Sequence, residues 1–258
     1  MSGKIRLERS GAVARVVLTR PARMNAMTRE MWRQLAQVFD GLREDTALRL
    51  VVVSGEGGHF CAGGDIFEYP AFRFDSIQLR AFHEEDVWGG LSAVLSCPVP
   101  VIAMIQGNCM GAGLEIASCC DIRLAAESAR FGAPIAKLGF PMAPRELQLV
   151  ASRLGTSVAT DLLLGAQVYE ASRLVATGYL HASVPDGELT ERVEQRVSQM
   201  LRLSPQAARL NKRGIQALLE PDPETMRTWV ERAYDYASSA EHREGVSAFL
   251  EKRLPSFD

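Results

Sequence analysis

Apolar positions along the chain switch between two periods, and the switch points outline the elements. Residues 5 to 9 and 13 to 19 are β-rich runs separated by Ser10-Gly11, a hairpin signal, and Arg20-Pro21-Ala22-Arg23 ends the second run. After Thr28, a residue type that caps helix N-termini, Met31, Leu35, Val38, Phe39 and Leu42 recur at helical spacing between Glu30 and Glu44. Leu50 to Ser54 is a short continuous apolar run, the pattern of a strand buried on both faces. The sequence then predicts a helix over 76–96, a strand over 98–105, a glycine turn and helix to Cys119, and a strand over 122–125. Strands alternating with helices in this order are right-handed crossovers, so the expected class is α/β.

Beyond about residue 144 the strand signal fades. Helical periods occupy 146–154, 156–164, 171–176, 188–203, 205–219 and 224–239, and Pro221-Asp222-Pro223 predicts a tight corner before the last of them. There is no repeat, low-complexity segment or Gly/Ser linker, so this third reads as a helical extension packed on the core or on a neighbouring subunit.

Composition narrows function more than fold. With 258 residues, 47% of them hydrophobic, the chain is ample for a proper core. A net charge of −2 gives no electrostatic case for nucleic acid or an anionic membrane. Neither a signal-peptide pattern nor an apolar run of about 18 residues is present, so a soluble, cytoplasmic protein is expected. Cys61, Cys97, Cys109, Cys119 and Cys120 are odd in number, lack a CxxC pair and lie in apolar or glycine-rich surroundings; buried thiols are expected rather than disulfides or zinc ligands.

The candidate chemistry sits in two glycine stretches. Gly107, Gly111 and Gly113 punctuate a turn that opens a small-residue helix carrying Glu115, and an apolar strand runs into Cys61-Ala62-Gly63-Gly64-Asp65. Glycines let the backbone approach a ligand, and a helix start leaves N–H groups unpaired. The amides of Gly64 and Ala112 are therefore candidates for an oxyanion hole, the alternative being two tight turns with no ligand. Glu115 lies among small apolar residues that should raise its pKa, which suits acid/base work; a carboxylate satisfied by backbone amides is the alternative. Asp65 is expected to shape its turn and Asp121 to hold a turn or cap a strand.

Other combinations are weaker. His59 and Cys61 lie two apart on an extended segment, roughly 6.5–7 Å between side chains, too far for a thiol–imidazole pair. His83-Glu84-Glu85-Asp86 splays around a helix and reads as a solvated face rather than a metal cluster. The glycines at 107, 111 and 113 do not spell GxGxxG, which disfavours a dinucleotide fold. Phe67, Tyr69, Phe72, Phe74, Phe82 and Trp88 either shape a ligand pocket or serve ordinary packing, the latter favoured.

Four segments resemble the crotonase family, the enoyl-CoA hydratase/isomerase superfamily, over nearly the whole chain. They are Arg20-Pro-Ala-Arg-Met-Asn-Ala-Met27, Phe60-Cys-Ala-Gly-Gly-Asp-Ile66, Gly107 to Asp121, and the tail Glu241 to Phe257 with its Glu-Gly, Ala-Phe and Glu-Lys-Arg matches. The resemblance implies a spiral of ββα units over 1–200 and a helical trimerisation region over 201–258, assembled as a trimer or dimer of trimers. It implies an acyl-CoA thioester as ligand, coenzyme A being part of the substrate, with no metal and no redox cofactor. Carried over, Gly64 and Ala112 donate amides to the thioester oxygen and Glu115 is the acid/base. Arg23, Met24 and Ala26 line the CoA path, grouped with Ala62, Asp65 and Ile66, and Lys252 either meets CoA phosphates or is an ordinary surface lysine.

Two departures bear on the reaction. Ala112 stands where the family commonly has glycine, which keeps the N–H but adds a methyl group that crowds the site or restricts φ. In Phe131-Gly-Ala-Pro-Ile135, isoleucine replaces the second glutamate of the hydratases and can neither hold water nor carry a proton. The divergent stretch Gly139 to Glu146 brings Arg145 and Glu146 into consideration as substitutes; a plain helix start after Pro144 is the favoured reading. The expectation is an enzyme of hydratase/isomerase type that stabilises a thioester enolate. The alternatives are an isomerase, a decarboxylase, a thioester hydrolase or a non-catalytic acyl-CoA binding protein.

Overall fold

The computed structural model describes residues 3–219, 224, 227, 230 and 233–257. Strands β1 (Lys4–Ser10) and β2 (Val13–Thr19) form an antiparallel hairpin in which Ile5 faces Leu18. Helix α1 (Arg29–Arg43) follows, and the Thr28 hydroxyl accepts from the Met31 N–H at 3.1 Å, satisfying one of the helix's free donors. Its apolar face buries Met31, Trp32, Leu35, Phe39 and Leu42; each such side chain contributes about 1.5–3 kcal/mol of burial.

Strand β3 (Leu50–Gly55) pairs in parallel with β2 and with β4 (Val101–Ile105); β4 pairs with β6 (Ile122–Ala126), and β6 with β9 (Ala182–Val184). The sheet order is β1-β2-β3-β4-β6-β9. Side chains alternate across it: Val51 and Val53 join the main core with α1, while Leu50 and Val52 join a second cluster with Leu189, Val193 and Val197 of helix α8 (Leu189–Met200). That double burial explains the unbroken apolar run of β3.

Between β3 and β4 lies one helical passage of three parts: α2 (Ser76–Ala81), a π-helical turn over Phe82–Val87, and α3 (Trp88–Leu95). A second sheet joins β5 (Asn108–Met110), β7 (Arg130–Gly132) and β8 (Val168–Glu170), and helix α4 (Ala112–Cys119) starts two residues after β5. Helices α5 (Pro144–Leu154), α6 (Thr156–Leu164) and α7 (Ala171–Ala176) precede β9, and α9 (Pro205–Leu219) follows α8.

The expectation of a wholly helical C-terminal third is corrected by β8 and β9. At three residues each they are too short to show a period, and they form only because an existing strand supplies their partner. The Pro221–Pro223 corner and residues 225–226, 228–229 and 231–232 of the helix expected over 224–239 lie outside the described residues; Asp235–Ser238 forms a 3-10 turn in place of its last part, followed by a helix at Ala240–Leu250. Helix α9 packs on the core, where the Lys212 ammonium is buried and donates to Val99 O at 2.9 Å and Asp121 Oδ2 at 2.7 Å. Asp121 also accepts from the Val101 N–H at 2.7 Å, tying α9 to β4. All five cysteines are buried thiols. Among the described residues no helix is long and apolar enough to cross a membrane.

Candidate active site

Both glycine stretches leave the carboxyl ends of adjacent parallel strands, β3 and β4, the position where open α/β sheets present ligand crevices. A backbone ladder then draws them together: Cys61 pairs with Cys109, its N–H donating to Asn108 O and its C=O accepting from Met110 N–H, both at 2.9 Å. The first turn is also laced to the preceding loop, with Met27 N–H to Gly63 O at 2.8 Å and Asp65 N–H to Met27 O at 2.7 Å. Spacing between the turns is thus set by main-chain bonds.

Gly111 has φ 47° and ψ −109°, backbone that only glycine adopts freely, and this sharp turn makes Ala112 the first residue of α4. A Cβ on Gly113 would lie 2.6 Å from Cys61 O, so glycine there lets α4 approach the first turn. Ala112 itself is helical, a conformation alanine takes without strain, so its methyl does not restrict the turn. Its N–H is one of the donors that a helix start leaves open. Among the described residues no acceptor engages the N–H of Gly64 or of Ala112. A side chain on Gly64 would strike the Tyr69 hydroxyl.

Glu115 lies one turn into α4, half-buried between Leu114 and Ile116. Burial, and after it the Glu146 carboxylate, raises its pKa from 4.5 to about 8. That favours its protonated form at neutral pH. Glu115 in turn acts electrostatically on Cys61, Tyr69 and Cys119, the titratable groups of the surrounding elements.

Glu146 occupies the first turn of α5, as the helix-start reading has it. It is buried, 2% exposed, and its Oε1 lies 2.9 Å from His83 Nδ1. The solvated-face reading of 83–86 is corrected. His83 and Asp86 are three apart and share the inward side of the π-helical turn; Glu84 and Glu85 point out. Asp86 is buried and bound by Arg29 at 2.7 Å and Arg33 at 2.6 Å. Ile135, in the short turn Pro134–Leu138, packs half-buried against the core.

The remaining candidates divide. Arg23 and Met24 are exposed on the loop after β2, and Ala26 is half-buried there. Asn25 pins that loop: its side chain accepts from Arg20 N–H at 2.8 Å and donates to Glu56 O and His59 O at 2.8 and 2.7 Å. Ala62 N–H donates to Met24 O at 2.9 Å, which sets the loop beside the first turn, and Ile66 is exposed at the same rim. Asp65 is buried, ion-paired to Arg20 at 2.8 Å and capping the turn that follows, so its carboxylate is engaged by protein. Lys252 is an exposed residue with φ 56° just past the last helix, with no contact to the Glu115 cleft among the described residues.

His59 Nδ1 accepts from Asn108 N–H at 3.1 Å, and burial pushes the Cys61 thiol to about 12, so neither is poised as a nucleophilic pair. Of the aromatics, Tyr69, Phe72 and Phe82 cluster with Phe140 at ring distances of 4.6–6.4 Å, whereas Phe67 and Phe74 are exposed. A separate cavity lies between α9 and the last helix, and none of the candidate residues lines it.

A parallel core with two laced turns at its strand ends and a raised carboxyl beside them is the crotonase fold. The chain belongs to the enoyl-CoA hydratase/isomerase family, whose model matches residues 8–258. It is similar to a crotonyl-CoA hydratase of Syntrophomonas wolfei, 30% identical over 97% of this chain and 96% of that one. It is also similar to a 2,3-dehydroadipyl-CoA hydratase of Escherichia coli, 29% identical over 97% of each. Among solved structures, an enoyl-CoA hydratase/carnithine racemase from Magnetospirillum magneticum superposes with a TM-score of 0.94 at 36% identity, covering 98% of this chain and 95% of that one.

Proposed function

We propose that the chain hydrates a 2-enoyl-CoA thioester with two carboxyl groups, Glu115 as acid and Glu146 as base. The observation that carries this reading is the Glu115–Glu146 interaction, two carboxyls of separate helices coupled beside unpaired amides. The Gly64 and Ala112 N–H groups bind the thioester oxygen. Water oxygen bonds to the β carbon, its proton passes to Glu146, and the π electrons move onto the thioester oxygen as an enolate. The enolate collapses by taking the Glu115 proton at the α carbon, and Glu146 returns its proton to Glu115, for net addition of water. Each amide donor is worth about 2.7–4 kcal/mol of transition-state stabilisation, and each proton-transfer group about 10²–10⁴-fold in rate.

Arg23, Met24, Ala26, Ala62 and Ile66 form the rim along which coenzyme A lies, and Lys252 meets its phosphates from a neighbouring subunit. Exposed Ile215, Leu218, Val246, Phe249 and Leu250 support a helical self-association surface, as in a trimer or dimer of trimers. The test is loss of the conjugated enoyl absorbance of crotonyl-CoA, with wild type and Glu115→Gln side by side. Wild-type turnover abolished in Glu115→Gln is expected. Ile135 favours a second reading, double-bond isomerisation by Glu115 alone; turnover of 3-enoyl-CoA that persists in Glu146→Gln, without hydration, would establish it.

A further inference from the structure

The two-carboxyl scheme leaves one polar side chain of the cleft wall without a role. His83 enters that wall from the π-helical turn, a local widening that often marks functional segments. Its neighbour Asp86 is consumed by two arginines, but His83 is not: its Nδ1 meets Glu146 Oε1 at 2.9 Å, its ring packs edge-on against Phe82 at 5.0 Å, and a fifth of it remains exposed.

Glu146 needs such a partner. A carboxylate this buried is costly without donors, and His83 is its one side-chain partner among the described residues. A ring nitrogen facing an ionised carboxylate oxygen in this way donates its hydrogen to it. The neighbouring charges do not substitute. Arg145 is drawn to Glu84 at 3.0 Å and lies over the Trp88 ring at 5.4 Å, and Arg29 and Arg33 are held by Asp86. Without a tether, the Glu146 side chain is free to rotate among its rotamers and leave the place where it must meet water.

We infer that His83 is a positioning residue of the acid–base machinery: its Nδ1–H fixes Oε1 of Glu146, leaving Oε2 as the oxygen that takes the proton of the attacking water opposite Glu115. The inference rests on the reading of Glu146 as the second carboxyl. It makes the pair a replacement, drawn from two other helices, for the carboxylate absent at Ile135.

Two reactions separate the possibilities. Hydration of crotonyl-CoA needs both carboxyls, whereas exchange of the α protons of butyryl-CoA in D2O, followed by NMR, needs the amides and Glu115 but no water addition. His83→Ala should lower kcat for hydration by about 10²-fold, the usual effect of a misplaced reacting group, with KM little changed and α exchange retained. His83→Asn keeps an N–H where Nδ1 stood and should recover about tenfold of that loss, one hydrogen bond's worth.

Hydration by His83→Ala at the wild-type rate, or His83→Asn no better than His83→Ala, overturns the inference while leaving the hydratase reading intact. Loss of α exchange together with hydration in both variants means damage to the fold and also overturns it. A wild-type enzyme that exchanges α protons but hydrates nothing removes the hydratase reading, and this inference with it.

Discussion

Glu115→Gln should make the protein more stable, and increasingly so as pH rises. The folded state holds Glu115 at about 8 against 4.5 for a free carboxyl. At about 1.4 kcal/mol per pH unit this is about 5 kcal/mol of penalty on the ionised form; water reaching a half-buried group reduces it, so about 2–4 kcal/mol should be measurable. The sign follows from proton counting. Below about 4.5 both folded and unfolded states are protonated and the residue contributes no pH dependence. Between 4.5 and about 8 the unfolded chain releases the proton while the folded one keeps it, so stability falls with rising pH, and above about 8 the loss is complete. Glutamine has no such proton, and its amide matches the neutral carboxyl in size. Urea denaturation of both proteins at one fixed protein concentration, at pH 4.5, 6 and 8, tests this; fixed concentration matters because self-association adds to apparent stability. The two curves should nearly coincide at pH 4.5 and separate by about 2–4 kcal/mol at pH 8. A difference that is the same at all three pH values would refute the claim that the fold keeps Glu115 protonated.

Other consequences are checkable with simpler variants. Glu146→Gln removes the second cause of the raised Glu115 pKa, so the rise of α-proton exchange with pH, which follows ionisation of Glu115 to the base, should move to lower pH; an unmoved limb in the pH–rate profile would mean that the two carboxyls do not interact. Gly64→Ala places a methyl against the Tyr69 hydroxyl and shifts the first amide, and kcat/KM for crotonyl-CoA should fall about 10²–10³-fold while the circular dichroism spectrum stays native. Asn25→Ala strips the loop of three hydrogen bonds and leaves Glu56 O and His59 O without their side-chain donor; urea denaturation should show a loss of about 2–4 kcal/mol. Lys212→Met leaves Asp121 without its cation and should cost about 3–5 kcal/mol, read as a lower thermal midpoint.

Long elements were legible because their periodicity is long: α1, the continuous passage from Ser76 to Leu95 and strand β3 all stand where apolar spacing puts them. The two glycine turns and the placement of Glu115 in the first turns of α4 were legible for a different reason, since glycines in a strand-to-helix turn have few other uses. Strands β5, β7, β8 and β9 were not, because three residues show no period and their pairing comes from distant strands. His83 and Asp86 were missed by treating four consecutive polar residues as one unit; their spacing of three was the available signal. Glu146 lay in plain view as a helix-start residue, but its partner is 63 positions earlier, and no local pattern reports such a meeting.

The ladder between Cys61 and Cys109 has a consequence for how such an enzyme can change. The proposed carbonyl clamp consists of main-chain amides spaced by main-chain bonds, and such a clamp is indifferent to which side chains surround it. Proton-handling groups can then be lost from one wall and regained on another without the clamp being rebuilt. Isoleucine at position 135 and the His83–Glu146 pair are what that freedom would leave behind: a fixed electrophile holder with interchangeable acids and bases around it.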